Sequence, residues 1–496
     1  MTRMMTSTTS AHAAIDLGAS SGRVMLGTLV ADRWVLAEVH RFENQPVVKE
    51  KTLQWEVERL FEESLVGLAK AVERSTDLGT SLASIGVDSW GVDFALLDRL
   101  GSVVGPVPHY RGAPDPTLIT ADRTLTAAEV YVLSGVPDHA INTSLRLAAR
   151  AKLKAFDGER LLFIPDLWVY LLTGIVGTEQ TIASTSQLLS AATGAWSEDL
   201  IEASCLPGLT LPAVSAPGCF VGLTTPTITS RIGSVSAVPV YRVAEHDTAS
   251  AFAFAVPSET ETIGLISSGT WSLVGLSLHE PVLSRDALCH GFTNERGIDS
   301  TLFLRNLNGM WLLQQCIQEW RSTGVPVPEL SELLDSAAAT PGDGRVFDVS
   351  DARLLAPGPM VVRIAKLSQE VGRPQPRTHG DVVRAILDSL AAAYGNALAE
   401  AAHLAGVTVT SVRIVGGGSL NPVLCQLTAD ATGLPVVTGP AEASSIGNIA
   451  AQIVASGVRT TITEVYNELA DEGTASVTYF PRMTTMSQRR QVENPI

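Results

Sequence analysis

Apolar and polar positions first fall into a pattern at Ala13. The stretch "AAIDLGASSGRVMLGTLV" holds two apolar runs around a small polar turn, which predicts a strand, a tight Gly/Ser turn and a returning strand. A third strand is expected over 34–42. From 55 to 74 the period changes. Leu60, Phe61, Leu65, Leu68 and Val72 recur three or four residues apart, as on one face of a helix. A short apolar segment follows, "SLASIGVDSWGVDFALLD", with Asp88 and Asp93 in its middle. Helices are expected over 127–133, 145–156 and 165–172. Pro, Gly, Thr and Ser dominate 206–233, which reads as loops on a domain edge. The run "AVPVYRVAEHDTASAFAFAV" then predicts a strand, a polar turn and a helix.

At Thr262 the opening pattern returns as "TIGLISSGTWSLVGLSL". Two hairpins with small-residue tips, half a chain apart, point to an internal duplication. A helix is expected over 381–404, with Val383, Ile386, Leu387, Leu390, Tyr394 and Leu398 on one face and Gly406 at the C-terminal cap. The strand "TSVRIV" runs into Gly416, Gly417 and Gly418, and another helix follows Glu442. Strands alternating with helices predict α/β layering.

Length turns this pattern into two domains, because 496 residues exceed what a single core supports. Apolar residues at 45% and charged residues at 17% give ordinary globular material. Lys plus Arg number 35 against 51 Asp plus Glu, a net charge of −16. Such a surface repels phosphate backbones and anionic lipid, which argues against nucleic-acid and membrane partners. It leaves ATP open, since a glycine-rich pocket with Mg²⁺ holds triphosphate on an acidic protein. No run of 18 apolar residues appears, and 1–12 is polar, expected as a disordered tail with the start open among Met1, Met4 and Met5. The five cysteines are scattered without C-x-x-C spacing and read as free thiols of a cytoplasmic protein.

Four segments carry candidate chemistry. In the first, Gly18 and Gly22 allow a tight turn, Ser20 and Ser21 add hydroxyls, Asp16 can hold Mg²⁺, and Arg23 can meet phosphate. An ordinary hairpin with a salt-bridged Arg explains the same letters. The second is Thr270 in "SSGTWS", a matching turn. The third is the glycine triplet, a floor without side chains at a strand's carboxyl end. The fourth is His246-Asp247-Thr248. Asp247 there is either a general base for a hydroxyl or a helix N-cap. Walker A, G-x-G-x-x-G, H-E-x-x-H and G-x-S-x-G sequences are all absent.

These segments, in this order, resemble the FGGY family of carbohydrate kinases over about residues 13–481. "DLGASSGRVMLG", "SIGVDSWGVDFALLD", "EHDTASAFA", "SSGTWSLVG", "RNLNGMWLLQQ" and "VGGGSLNPVLCQLTADATGLPV" carry the resemblance. It implies an α/β fold of two actin-like (ribonuclease H-like) domains with a central cleft. The N-terminal domain is expected over 13–254, the C-terminal domain over 255–481, and a tail over 482–496. The implied reaction moves the ATP γ-phosphate to O1 of a ketose, L-rhamnulose first, with L-fuculose or L-xylulose as alternatives. A non-catalytic sugar or nucleotide sensor on the same fold is the other class. The implied roles are Asp247 as proton acceptor, with Gly91, His246, Thr248 and Asn306 against the sugar. Ala19, Ser20, Ser21, Gly22, Arg23, Thr270, Gln314 and Gly417 would contact ATP, and Asp16 would place Mg²⁺. A monomer or homodimer is expected. One departure from the pattern is Gly112 after Tyr110-Arg111, where relatives carry an acidic residue. Asp115 is displaced from that place.

Overall fold

The computed structural model describes residues 10–30, 33–112, 123–258, 261–342, 345–473 and 476–482. Two compact units form. The first comprises Met1–Ser258, Ser277–Arg305 and Glu442–Ala475; the second comprises Glu259–Leu276, Asn306–Ala441 and Ser476–Ile496. The sequence places one boundary, after residue 254. The compact units are discontinuous along the chain, with the late helix Ala443–Ala455 packed on the first sheet.

That sheet has six strands, in the order Cys219–Leu223, Pro239–Arg242, Leu82–Ser89, Ala11–Leu17, Ser21–Val30, Arg33–Glu43. Leu82–Ser89 runs parallel to Ala11–Leu17 and to Pro239–Arg242, while the strands from Ala11 to Glu43 form an antiparallel meander. All seven residues of Ala11–Leu17 are buried, as expected of a central strand covered on both faces. It starts two residues before the expected start of the fold, since His12 is pinned inside by Ser84 Oγ, 2.7 Å from its Nδ1.

Helix Val57–Asp77 packs Leu60, Leu65 and Leu68 onto one face of the sheet. Its Gly67 lets it approach closely, because a Cβ there would collide with Val24. Helix Ala443–Ala455 covers strands at Gly27, under Ile449, and at Gly86, under Asn448 and Gln452. The expected loops of 206–233 contain the edge strand Cys219–Leu223 and the helix Pro226–Arg231. Phe220 and Leu223 of that strand are half exposed, so no buried periodicity marks it.

In the second unit, strands Trp271–Leu278, Thr262–Ser268, Val409–Val415, Val436–Thr438 and Thr478–Tyr479 lie side by side in that order. The hairpin Thr262–Ser268/Trp271–Leu278 is antiparallel, like the one that opens the chain. Helix His379–Ala405 starts at a reciprocal Thr378/Asp381 cap and ends at Gly406 with φ 67°. Its Ile386, Leu390 and Tyr394 join Ile266, Val274, Ile414 and Leu424 in one core. The cysteines are free; Cys316 and Cys425 sit in this core, and Cys205, Cys219 and Cys289 are exposed. Among the described residues, no helix is long and apolar enough to cross a membrane.

Candidate active site

Three aspartates of the first unit come together at the carboxyl ends of neighbouring parallel strands, where open α/β sheets place ligands. Asp16 pairs in register with Asp88. The next residue, Ser89, bridges in parallel to His246, and its N–H donates to Glu245 O at 2.9 Å. Asp16 is 1% exposed. Its Oδ2 accepts from Arg23 Nε at 3.1 Å, Ser444 Oγ at 2.5 Å and Ser445 Oγ at 2.7 Å. Arg23 also pairs with Glu442. Asp88 is wholly buried. Its Oδ2 accepts from Asn448 Nδ2 at 2.6 Å, and its Oδ1 has no partner. Burial, then the charge of Asp16, push the Asp88 carboxyl well above the ordinary range.

Asp247 is different: 31% of its side chain is exposed. It opens a five-residue helix, Asp247–Ala251, and His246 occupies the N-cap position, so the cap alternative for Asp247 falls away. The Asp247 Oδ1 accepts from Thr248 Oγ1 at 3.1 Å and lies 3.4 Å from His246 Nε2. Burial raises the Asp247 pKa and Asp16 adds to it, while His246 pulls the other way; the net direction is up. On the far side of the imidazole, Nδ1 lies 3.3 Å from Glu295 Oε2. Burial favours the neutral ring, but Glu295 foremost, with Asp247 and Glu179, outweighs it and raises the His246 pKa.

Buried polar groups fix the backbone of this segment. Thr181 Oγ1 accepts from His246 N–H at 3.1 Å and donates to Glu179 Oε2 at 2.5 Å, which also accepts from Glu245 N–H at 3.0 Å. Arg242 Nη1 donates to Asp166 Oδ1 at 2.7 Å and Glu245 Oε1 at 2.8 Å. One guanidinium thus serves a cluster of buried carboxyls, and burial pushes Glu179 up to about 7.

The loop after Asp88 is held as tightly. Val92 adopts φ 64°, and its N–H donates to Thr185 Oγ1 at 3.0 Å. A Cβ on Gly91 would press on Thr185 at 3.0 Å. Asp93 is consumed structurally: Trp55 Nε1 at 2.6 Å and Trp90 Nε1 at 2.9 Å donate to its Oδ2, and Arg146 Nη1 donates to Oδ1 at 2.5 Å. Asp115 lies outside the described residues.

At the first hairpin tip, Gly18 N–H donates to Ser21 O at 3.0 Å and Asn44 Nδ2 to Gly18 O at 2.7 Å, with Ala19, Ser20 and Ser21 half-buried between. Gly22 is small for another reason than the one its spacing suggests: a Cβ there would strike the Phe42 ring. The first unit therefore gathers Asp16, the 19–23 turn, His246, Asp247 and Thr248.

The second unit carries the other candidates. The Thr270 carbonyl accepts from Gly309 and Trp311 N–H at 3.2 Å each, seating the turn on the start of helix Trp311–Ser322. Gln314 of that helix is exposed, as is Asn306 on strand Ser300–Asn308. Ser267 pairs with Val415, which sets the 268–271 turn beside the glycine triplet. Gly416 has φ 79°, Gly418 leaves no room for a Cβ against Ser268, and Gly417 faces open space.

Sequence reasoning left Asp88, Glu179, Thr181, Glu295, Glu442, Ser444 and Ser445 without roles. Asp88 alone had a local signal, its place in the "GVDSWGVDF" run. Among the described residues, no three His, Cys, Asp or Glu side chains are arranged to hold a metal ion.

The N-terminal domain of the FGGY family of carbohydrate kinases matches residues 12–253, and its C-terminal domain matches residues 264–456. The chain belongs to this family and is an ATP-dependent carbohydrate kinase. It is 35% identical over 480 residues to the rhamnulokinase of Bacteroides thetaiotaomicron, covering 95% of each chain. With the rhamnulokinase of Pectobacterium carotovorum it shares 38% over 451 residues, 90% of this chain and 88% of that one. The fold matches the crystal structure of a Lactobacillus acidophilus gluconate kinase (TM-score 0.74, 16% identity, 96% and 94% coverage). It also matches Plasmodium falciparum glycerol kinase with ADP (TM-score 0.74, 14% identity, 97% and 96% coverage). These neighbours are two-domain actin-like kinases, the architecture expected from the sequence.

Proposed function

We propose that the chain phosphorylates L-rhamnulose at O1, giving L-rhamnulose 1-phosphate and ADP, with Asp247 as the proton acceptor. Identity of 35–38% to rhamnulokinases over nine-tenths of the chain supports the sugar. The observation that carries the mechanism is the contrast in access among the three aspartates: Asp16 and Asp88 are sealed, and Asp247 is not. Only an accessible carboxylate can take a proton from a bound hydroxyl. As O1 attacks the γ-phosphorus, its proton passes to Asp247. The bond from that phosphorus to the bridging oxygen breaks, and ADP leaves with the electron pair.

Ala19, Ser20, Ser21 and Gly22 form the turn proposed to cradle the phosphates. Arg23, held through Nε by Asp16 and through Nη1 by Glu442, is proposed to offer a phosphate its remaining donors. Thr270, Gln314 and Gly417 are proposed to contact ATP, and Gly91, His246, Thr248 and Asn306 the sugar. Mg²⁺ is commonly held by one or two carboxylates plus phosphate oxygens and water. Asp16 fits that donor chemistry, and the unpartnered Oδ1 of Asp88 beside it is a further buried acceptor. Bound there, the cation would offset charge developing on the phosphates. We also propose that the protein works in the cytoplasm.

The test is ADP release with MgATP over L-rhamnulose, L-fuculose and L-xylulose, and NMR of the product. The expected result is preferential turnover of L-rhamnulose with phosphate on O1. A preference for another ketose would reject the sugar, and no sugar-stimulated turnover would reject the kinase mechanism.

A further inference from the structure

We propose that Glu295 is a positioning residue for phosphoryl transfer: it fixes the ring of His246 so that Nε2 faces Asp247. The inference rests on Asp247 being the proton acceptor. Glu295 lies on strand Phe292–Gly297, paired across its hairpin with Leu302. Thr293 Oγ1 donates to its Oε1 at 3.0 Å, which leaves Oε2 for the imidazole. His246 Nδ1 and Glu295 Oε2 meet at ion-pair distance, 3.3 Å; neither atom makes a hydrogen bond among the described residues, and both residues are buried. With a carboxylate at ion-pair distance from each nitrogen, the ring suits both neighbours best as the imidazolium, which has a donor on each side. A neutral ring protonated on Nε2 alone leaves the buried Glu295 Oε2 without a donor, at a cost.

The charge matters to Asp247. The groups facing His246 are Glu295 from the hairpin, Asp247 from its own helix and Glu179 from the 178–182 segment. Asp247 faces His246, Asp16 and Asp88. His246 is the cation beside Asp247 in this group; without its charge, the aspartates would hold a proton on Asp247 to higher pH. Glu295 thus acts two side chains away from the reacting hydroxyl and touches neither substrate.

The experiment compares full-length Glu295→Gln, Glu295→Asp and Asp247→Asn with the unchanged protein. In Glu295→Gln we expect kcat near neutral pH to fall about tenfold, the factor set by one pKa step. KM for ATP should hold, and the acid limb of kcat/KM should move to higher pH, so that rate recovers in alkali. Glu295→Asp should restore part of the neutral-pH rate. An unmoved acid limb in Glu295→Gln, with Asp247→Asn inactive, overturns the Glu295 inference alone. Turnover retained in Asp247→Asn overturns the base assignment and the inference with it. If Glu295→Gln does not fold, the ring nitrogens of His246 are read by NMR in the unchanged protein, assigned by their loss in His246→Gln. A doubly protonated ring at neutral pH supports the proposal, and a neutral ring refutes it.

Discussion

At the scale of single residues, access and close approach separate groups that look alike in sequence. Three aspartates share one corner, yet only Asp247 is reachable. Asp247→Ala should lower kcat by about 10²–10⁴-fold, while ATP affinity by calorimetry stays unchanged. Because burial and Asp16 raise its pKa, Asp247 must lose its proton at a higher pH than an ordinary carboxyl. Activity should therefore fall as pH drops through that raised value, and kcat/KM against pH will show whether the acid limb lies there. The glycine triplet divides in the same way. Gly417→Ala adds a methyl into open space, so thermal stability should hold while ATP binding weakens. Gly418→Ala drives a methyl into Ser268 and should cost about 1–3 kcal/mol by denaturant unfolding.

At the scale of elements, helix Ala443–Ala455 ties the first sheet to its site. Ser444 and Ser445 bind Asp16, Asn448 binds Asp88, and Gln452 binds Ala13 O at 3.0 Å. Asn448→Ala leaves a sealed carboxyl without its one donor. Unfolding should show a loss of about 1–3 kcal/mol. The helix itself was legible after Glu442, but its partnership with Asp16 was not, since the two lie 428 residues apart. The hairpins and helix His379–Ala405 were legible because period, small tips and caps agreed locally. The strand Cys219–Leu223 was not, because an edge strand with exposed Phe220 and Leu223 lacks alternation. Gly22 was legible as a glycine turn but not as space for Phe42, which lies twenty residues on. The buried set Glu179, Thr181, Arg242 and Glu245 was not legible as a group, because its members meet only after folding.

At the scale of the whole molecule, buried histidines set the response to acid. Burial pushes His12 down to about 4, and His109 likewise to about 4. Both are less basic folded than unfolded. Their contribution is complete above pH 6.5, the unfolded value, and is lost as pH falls from there toward 4. The melting temperature should decline over that window, and His12→Gln should decline less steeply by scanning calorimetry.

The return of 442–475 to the first unit has a consequence for biosynthesis. A nascent chain emerging from the ribosome in order exposes the groove at Gly27 and Gly86 long before Ile449, Asn448 and Gln452 arrive to fill it. Asp16 waits for the serines that clasp it until a stretch more than 400 residues further on is translated, Ser444 lying 428 residues after it. Premature termination anywhere before that point leaves the opening sheet half-covered, a ready target for chaperones and proteases.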